Sequence, residues 1–130
     1  MNKPMIVCIC GSTRFKQEFI DANLRETMKG KIVLTVGCFR HTEKEPPTEE
    51  ECRMLDELHL RKIDLADEVL ILNVGSYIGK GTFRELQYAY ESKKKIRFLE
   101  PDQFDRIELH EFVHRLGKYK IIDSLFTQSE

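Results

Sequence analysis

The sequence has no tryptophan, few prolines and glycines, and almost no net charge. Its 21 basic side chains face 22 acidic ones, leaving -1 at neutral pH. That balance offers a polyanion little to hold, and no like-charge run exceeds three residues, as in Lys93-Lys94-Lys95. Nucleic-acid polymers and anionic membrane surfaces are therefore not expected partners. Long apolar runs are missing as well: nothing approaches the roughly 20 residues of a membrane span. The first apolar run, residues 5–10, is too short for the core of a signal peptide. The four cysteines, at 8, 10, 38 and 52, form no CxxC pair, which excludes a zinc ribbon or a thioredoxin motif. Cys8 and Cys10 flank Ile9 in a strand-like run where a disulfide closes poorly. Four reduced, mostly buried thiols in a cytoplasmic protein are expected. What is present is a chain of 130 residues, 41% hydrophobic. That is one domain, residues 1–130, able to bury roughly two-thirds of its unfolded surface.

Two hydrophobic periods alternate along it. Residues 5–10 form a continuous apolar run closed by Gly11, as expected of a strand covered on both faces. Ser12 or Thr13 can cap a following helix that carries Phe15, Phe19 and Ala22 and closes near Gly30. Residues 32–36 are a second β-branched run stopped by Gly37, and the polar, Pro-punctuated residues 39–47 are a loop. Thr48 and Glu51 have capping-box spacing before a long helix whose inward positions are expected to be Met54, Leu58 and Leu65. Residues 68–73 are a third strand. A glycine-containing loop at 74–81 leads to a helix over 82–93, with Phe83, Leu86 and Tyr90 inward. Residues 96–99 are a fourth strand, and 102–116 a last helix burying Leu109, Phe112, Val113 and Leu116. Ile121-Ile122 is either an edge strand or a turn.

Strands alternating with helices of this length imply right-handed crossovers and a parallel sheet. The expected fold is a flavodoxin-like α/β three-layer sandwich with a four- or five-stranded parallel sheet. Ligands of such sheets sit beyond the carboxyl ends of the strands, where strand order reverses. That directs attention to residues 11–14 and 73–85.

Two phosphate motifs fail on inspection. Gly79-Lys80-Gly81-Thr82 resembles the end of a P-loop, but Gly81 intervenes between Lys and Thr. Gly79-x-Gly81 does not complete GxGxxG, because Arg84 occupies the last position. His110-Glu111-Phe112-Val113-His114 spells HExxH, a pattern that can hold zinc. The position expected for a third ligand is Lys120, so a surface helix is the simpler reading, and no metal or organic cofactor is expected.

Gly11-Ser12-Thr13-Arg14 combines helix-start amides, a hydroxyl and a guanidinium, a set suited to an anion such as phosphate. Gly81-Thr82-Phe83-Arg84-Glu85 opens the third crossover at the same end of the sheet. A carboxylate there is kept ionised by the helix dipole and can act as a nucleophile. Thr82-x-x-Glu85 is equally a capping box, which requires no chemistry.

The runs Ile9-Cys10-Gly11-Ser12-Thr13-Arg14, then Asp64-Leu65-Ala66-Asp67-Glu68-Val69-Leu70-Ile71-Leu72, then Gly81-Thr82-x-x-Glu85-Leu86-x-Tyr88-Ala89 resemble the nucleoside 2-deoxyribosyltransferase superfamily. That superfamily includes the 2'-deoxynucleoside 5'-monophosphate N-glycosidases. The similarity covers about residues 5–100. It implies a flavodoxin-like fold, a dimer or higher oligomer, and cleavage of the bond between base and deoxyribose. By the same resemblance Glu85 matches the glutamate nucleophile, Gly11, Ser12 and Arg14 the phosphate-side loop, and Asp67 the acidic residue heading the third strand. Two positions depart from the family pattern. Cys8 stands where a Tyr is common, and His59 where an Asp commonly helps protonate or orient the base. A His can donate that proton, so His59 is a catalytic candidate beside Glu85 and Asp67.

The expected activity is therefore cleavage or transfer of an N-glycosidic bond in a nucleoside or nucleoside 5'-monophosphate, through a glycosyl–Glu85 ester. Asn73, Gly79, Gly81 and Thr82 are expected to line the sugar; Arg40 and His41, following the second strand, are candidates to contact the base, with a solvated loop the simpler reading. A non-catalytic nucleotide-sensing domain is the alternative, and an HExxH zinc hydrolase a remote one. The expected partner is a small-molecule nucleoside or nucleotide, bound by a homo-oligomer, most simply a dimer.

Overall fold

The computed structural model describes residues 2–100. The expected helix at 102–116, its HExxH pattern and Ile121-Ile122 lie outside the described residues. The described chain runs β1 (Ile6–Gly11), α1 (Lys16–Met28), β2 (Ile32–Leu34), α2 (Glu49–Leu65), β3 (Glu68–Leu72), α3 (Lys80–Glu91) and β4 (Lys95–Phe98), with one 3-10 turn at Val74–Ser76. The four strands form one all-parallel sheet in the order β2-β1-β3-β4. This is the α/β, flavodoxin-like arrangement expected from the alternation of periods.

The period of two in β1 sorts the core into two layers. Val7 and Ile9 pack with Phe19 and Ala22 of α1, together with Leu70 and Leu72 of β3. Cys8 and Cys10 point to the other face, among Ile63, Ala66, Leu86 and Ala89 of the α2–α3 layer. Burial on both sides is why residues 5–10 read as an unbroken apolar run rather than an alternating one. β1 and β3 occupy the centre, and their following connections diverge, to β2 on one side and β4 on the other. Their carboxyl ends thus frame the topological switch point.

Gly11 is the last residue of β1 and pairs with Leu72. A Cβ placed there would sit 2.9 Å from the Leu72 Cβ and 3.4 Å from the Phe19 ring. Glycine is required by that close approach, which ends the strand directly beneath the switch point.

One expected helix start and one expected helix face are revised in the first two helices. The first helix begins at Lys16 with Phe15 as its cap residue, and neither Ser12 nor Thr13 caps it. Instead the Ser12 carbonyl accepts from Phe15 N–H, and its hydroxyl accepts from Arg14 N–H at 3.3 Å, closing a tight turn ahead of the helix. α2 does carry the Thr48–Glu51 capping box, with both reciprocal hydrogen bonds formed. Its inward face, however, is one position off the expected one. Met54, Leu58 and Leu65 are 50%, 47% and 67% exposed, while His59 and Ile63 are buried. The apolar stripe faces outward, and the helix seats its histidine against the core instead.

The amino end of the sheet is held by charge. Glu26 and Glu68, each 1% exposed, share Lys31 (2.9 and 2.8 Å) and Arg97 (2.6 and 2.8 Å). Their pKa values fall below the ordinary carboxylate value: burial opposes this, and hydrogen bonds from Lys31 and Arg97 outweigh it. Asp67 belongs to this end as well. Among the described residues no helix is long and apolar enough to cross a membrane.

Candidate functional site

A cavity of about 350 Å³ opens at the carboxyl end of β1, walled by α2, α3 and the loop after β2. Gly11 and Thr13 contribute its sheet-end wall, Gly37 and Arg40 the loop wall, His59 the α2 wall, and Gly81, Arg84 and Glu85 the α3 wall. Four of the expected site residues, Gly11, His59, Gly81 and Glu85, are therefore brought together from three separate parts of the sequence.

The start of α3 determines how Glu85 is to be read. The helix begins at Lys80 with Gly79 as its cap residue and no side-chain cap. Thr82 is thus the third helical residue and Glu85 the sixth, so the Thr82–Glu85 capping box does not form. Beyond the first turn, Glu85 has no capping role, and its carboxylate faces the cavity with its side chain 19% exposed. Its Oε1 lies 4.0 Å from Nε2 of His59, whose side chain is 6% exposed.

Beneath this pair lie two thiols. His59 Nε2 is 3.3 Å from Cys10 Sγ and 3.6 Å from Cys8 Sγ. Residues 8 and 10 share a face of β1 because side chains alternate along a strand, and α2 lays His59 across that face. The electrostatics follow from proximity. Burial disfavours the His59 cation, but the Glu85 charge and then the Cys8 contact raise its pKa above 6.5. The hydrogen bond from Cys10 pulls Cys8 down to about 5 against its burial, with help from His59. Cys10 is pushed up, by burial first and by sharing a proton with Cys8 second. Both sulfurs are fully buried behind His59, which is the member of the cluster that lines the cavity.

The rim is polar and partly cross-braced. Thr13 Oγ1 and His41 Nδ1 are 2.7 Å apart, joining the turn after β1 to the loop after β2. Arg40 donates to Asp56 at 2.6 Å, and Lys62 to the Thr35 carbonyl at 2.6 Å. Arg84 is exposed on the α3 wall, and its guanidinium makes no ion pair or hydrogen bond among the described residues. Arg14 is exposed beside the cavity with its guanidinium 5.0 Å from the centroid of the Tyr77 ring.

Other expected site residues stand elsewhere. Asp67 is a correction. Its Oδ2 accepts the Ile6 N–H at 2.8 Å, at the amino end of the sheet, while the cavity is at the carboxyl end. A carboxylate a strand's length away cannot serve Glu85. Asn73 is a second correction: it is fully buried, its Nδ2 donates to the Glu100 carbonyl at 2.7 Å, and its Oδ1 accepts the Glu100 N–H at 2.9 Å. Its amide extends the β3–β4 pairing and is not presented to a sugar. Ser12 is spent on its own turn, Gly79 is the buried cap of α3, and Thr82 is 1% exposed inside the first turn. Sequence reasoning missed the Cys8–Cys10–His59 cluster and Arg84. The C-x-C spacing was a usable signal, since period two puts both sulfurs on one face.

No protein-family model matches the chain, and no curated protein matches it significantly.

Proposed function

We propose that the protein cleaves the N-glycosidic bond of a nucleoside or nucleoside 5'-monophosphate, with Glu85 as nucleophile and His59 as acid–base. One observation carries this reading: Glu85 is released from any capping role and held, with its side chain 19% exposed, in the cavity wall 4.0 Å from a buried histidine. The motif resemblance in the sequence points the same way.

The chemistry balances with these two groups. The Glu85 carboxylate attacks the anomeric carbon as the bond to the base breaks, and the departing nitrogen takes the bonding pair and a proton from His59. A glycosyl ester remains on Glu85. Neutral His59 then removes a proton from water, which attacks the same carbon, frees the sugar and restores the carboxylate. A second base in place of water makes the reaction a transfer. The raised pKa of His59 suits it to the first step. Apolar Val36, Leu55 and Leu60 in the lining suit a flat base, and Arg84 or Arg14 a 5'-phosphate. A homodimer belongs to the same reading, and the apolar side chains exposed along α1, Ile20, Leu24 and Met28, are in keeping with it.

Incubation with a panel of nucleosides and their monophosphates, followed by chromatography for free base, tests the proposal. Release of base supports it. Calorimetric binding of a monophosphate with no base released would replace it with a nucleotide-sensing role.

A further inference from the structure

The sulfur–nitrogen cluster under the cavity has a geometry that proton transfer does not require. A tetrahedral zinc ion with bonds of about 2.3 Å to sulfur and about 2.0 Å to nitrogen separates those ligand atoms by about 3.5 Å. His59 Nε2 stands 3.3 Å from Cys10 Sγ and 3.6 Å from Cys8 Sγ, and all three donor atoms lie within 4.8 Å of one another. We propose that Cys8, Cys10 and His59 form a binding site for a thiophilic d10 cation, Zn2+ foremost, with the Glu85 carboxylate placed to become the fourth ligand.

Three features support the assignment besides the distances. The donors are soft: two sulfurs and an imidazole select zinc over magnesium or calcium, which require oxygen cages. The scaffold is rigid, because both cysteines sit on the central strand β1 and are 0% exposed. An entry path exists, because His59 and Glu85 line the cavity that opens to solvent. The Glu85 oxygen, 4.0 Å from the imidazole nitrogen, stands outside this close set of three donors, and a side-chain movement toward the sulfurs is needed for it to become the fourth ligand. The site is separate from the HExxH pattern of the sequence.

Binding deprotonates the thiol pair fully and releases protons to solvent. The ion takes the Nε2 lone pair of His59 and one oxygen of Glu85, so a filled site withdraws both from the chemistry proposed above. On the glycosidase reading, zinc is therefore a reversible inhibitor, and thiophilic metal availability would govern the enzyme. The metal measurements below use no substrate, so either proposal can fail alone.

The experiment uses the full, reduced chain and Co2+ as a spectroscopic probe, followed by Zn2+ competition. The expected result is a one-to-one complex with a thiolate-to-cobalt charge-transfer band, tetrahedral d–d bands, and displacement by Zn2+. X-ray absorption on the zinc form should show two sulfurs among the four nearest atoms, a readout that needs no variant. Cys8→Ser, Cys10→Ser and His59→Gln should each weaken binding at least about a hundredfold, beyond the loss caused by outer-shell changes. The Cys38→Ala/Cys52→Ala double variant should bind like wild type. No charge-transfer band at stoichiometric Co2+, fewer than two sulfurs around zinc, or loss of binding in the Cys38/Cys52 double variant would overturn the proposal.

Discussion

Replacing Glu85 by Gln separates chemistry from structure at the centre of the site. Gln preserves shape and helix propensity, and no cap is lost, because Glu85 is the sixth residue of α3. What disappears is one negative charge 4.0 Å from His59. At an effective dielectric of about 20 that attraction is about 4 kcal/mol for a fully charged pair. It acts only while His59 is protonated, and removing the charge also relieves its own desolvation. The net change in stability should be about 1 kcal/mol, a few degrees in melting temperature. Turnover should respond on another scale, since a neutral amide leaves no group to form the ester. A loss of at least about a thousandfold, or about 4 kcal/mol of barrier, is expected in single-turnover release of base. Nucleotide affinity by calorimetry should stay within about tenfold of wild type. A third readout is independent of substrate: the Glu85 charge raises the His59 pKa, so the variant's imidazole should titrate lower by NMR. A variant that releases base at the wild-type rate refutes the mechanism.

The phosphate pole can be assigned by comparing two arginines. Arg84→Ala should weaken monophosphates at least about tenfold more than nucleosides, and Arg14→Ala less, because Arg84 lines the cavity and Arg14 stacks on Tyr77; equal losses for both ligand classes would remove Arg84 from that role. At the other end of the sheet, the folded pKa values of Glu26 and Glu68 are depressed below 4.5, so their contribution is present above that pH and drains away as pH falls through and below it. Melting temperature should drop steeply below about pH 4.5, and Glu68→Gln should cost about 2–3 kcal/mol at pH 7, less than a fully buried break because Arg97 is 31% exposed; a flat acid profile would contradict the network's role. Light scattering should show a two-fold dimer, and a fully active monomer would reject it.

The fold was legible because the signals that determine it are local. Continuous apolar runs at β1 and β3, β-branched residues at β2 and the Thr48–Glu51 box each correspond to one physical device, and each marks its element, although β2 stops at Leu34, two residues short of the expected strand. Element ends were less legible. The expected capping by Ser12 or Thr13 failed because a serine hydroxyl satisfies Arg14 N–H just as readily when a turn precedes the helix. The inward face of α2 was misassigned for a related reason. Met54, Leu58 and Leu65 outweigh a lone histidine in any count of apolar residues, yet α2 buries His59, which finds its partners on β1 and α3.

That exchange explains why the site was only half visible. Gly11 ends β1 and Glu85 lies in the second turn of α3, which starts at the same end of the sheet, so sequence position and sheet topology together place them. Asp67 and Asn73 bracket β3 and look equivalent in the sequence, but a parallel strand has one end at the switch point and one at its far edge. Asp67 is therefore bound to Ile6 N–H at the far end. Asn73 is at the correct end, and there the need to pair β4 beyond its last strand residue takes both of its amide groups. The Cys8–Cys10–His59 cluster has no such marker. Its members are about fifty residues apart and are united only by a two-residue period on β1 and by the face that α2 turns inward. The two errors in reading α2 and the cysteines are thus one: once His59 is seen to be buried, the C-x-C run beneath it becomes a set of ligands and proton partners rather than core filling.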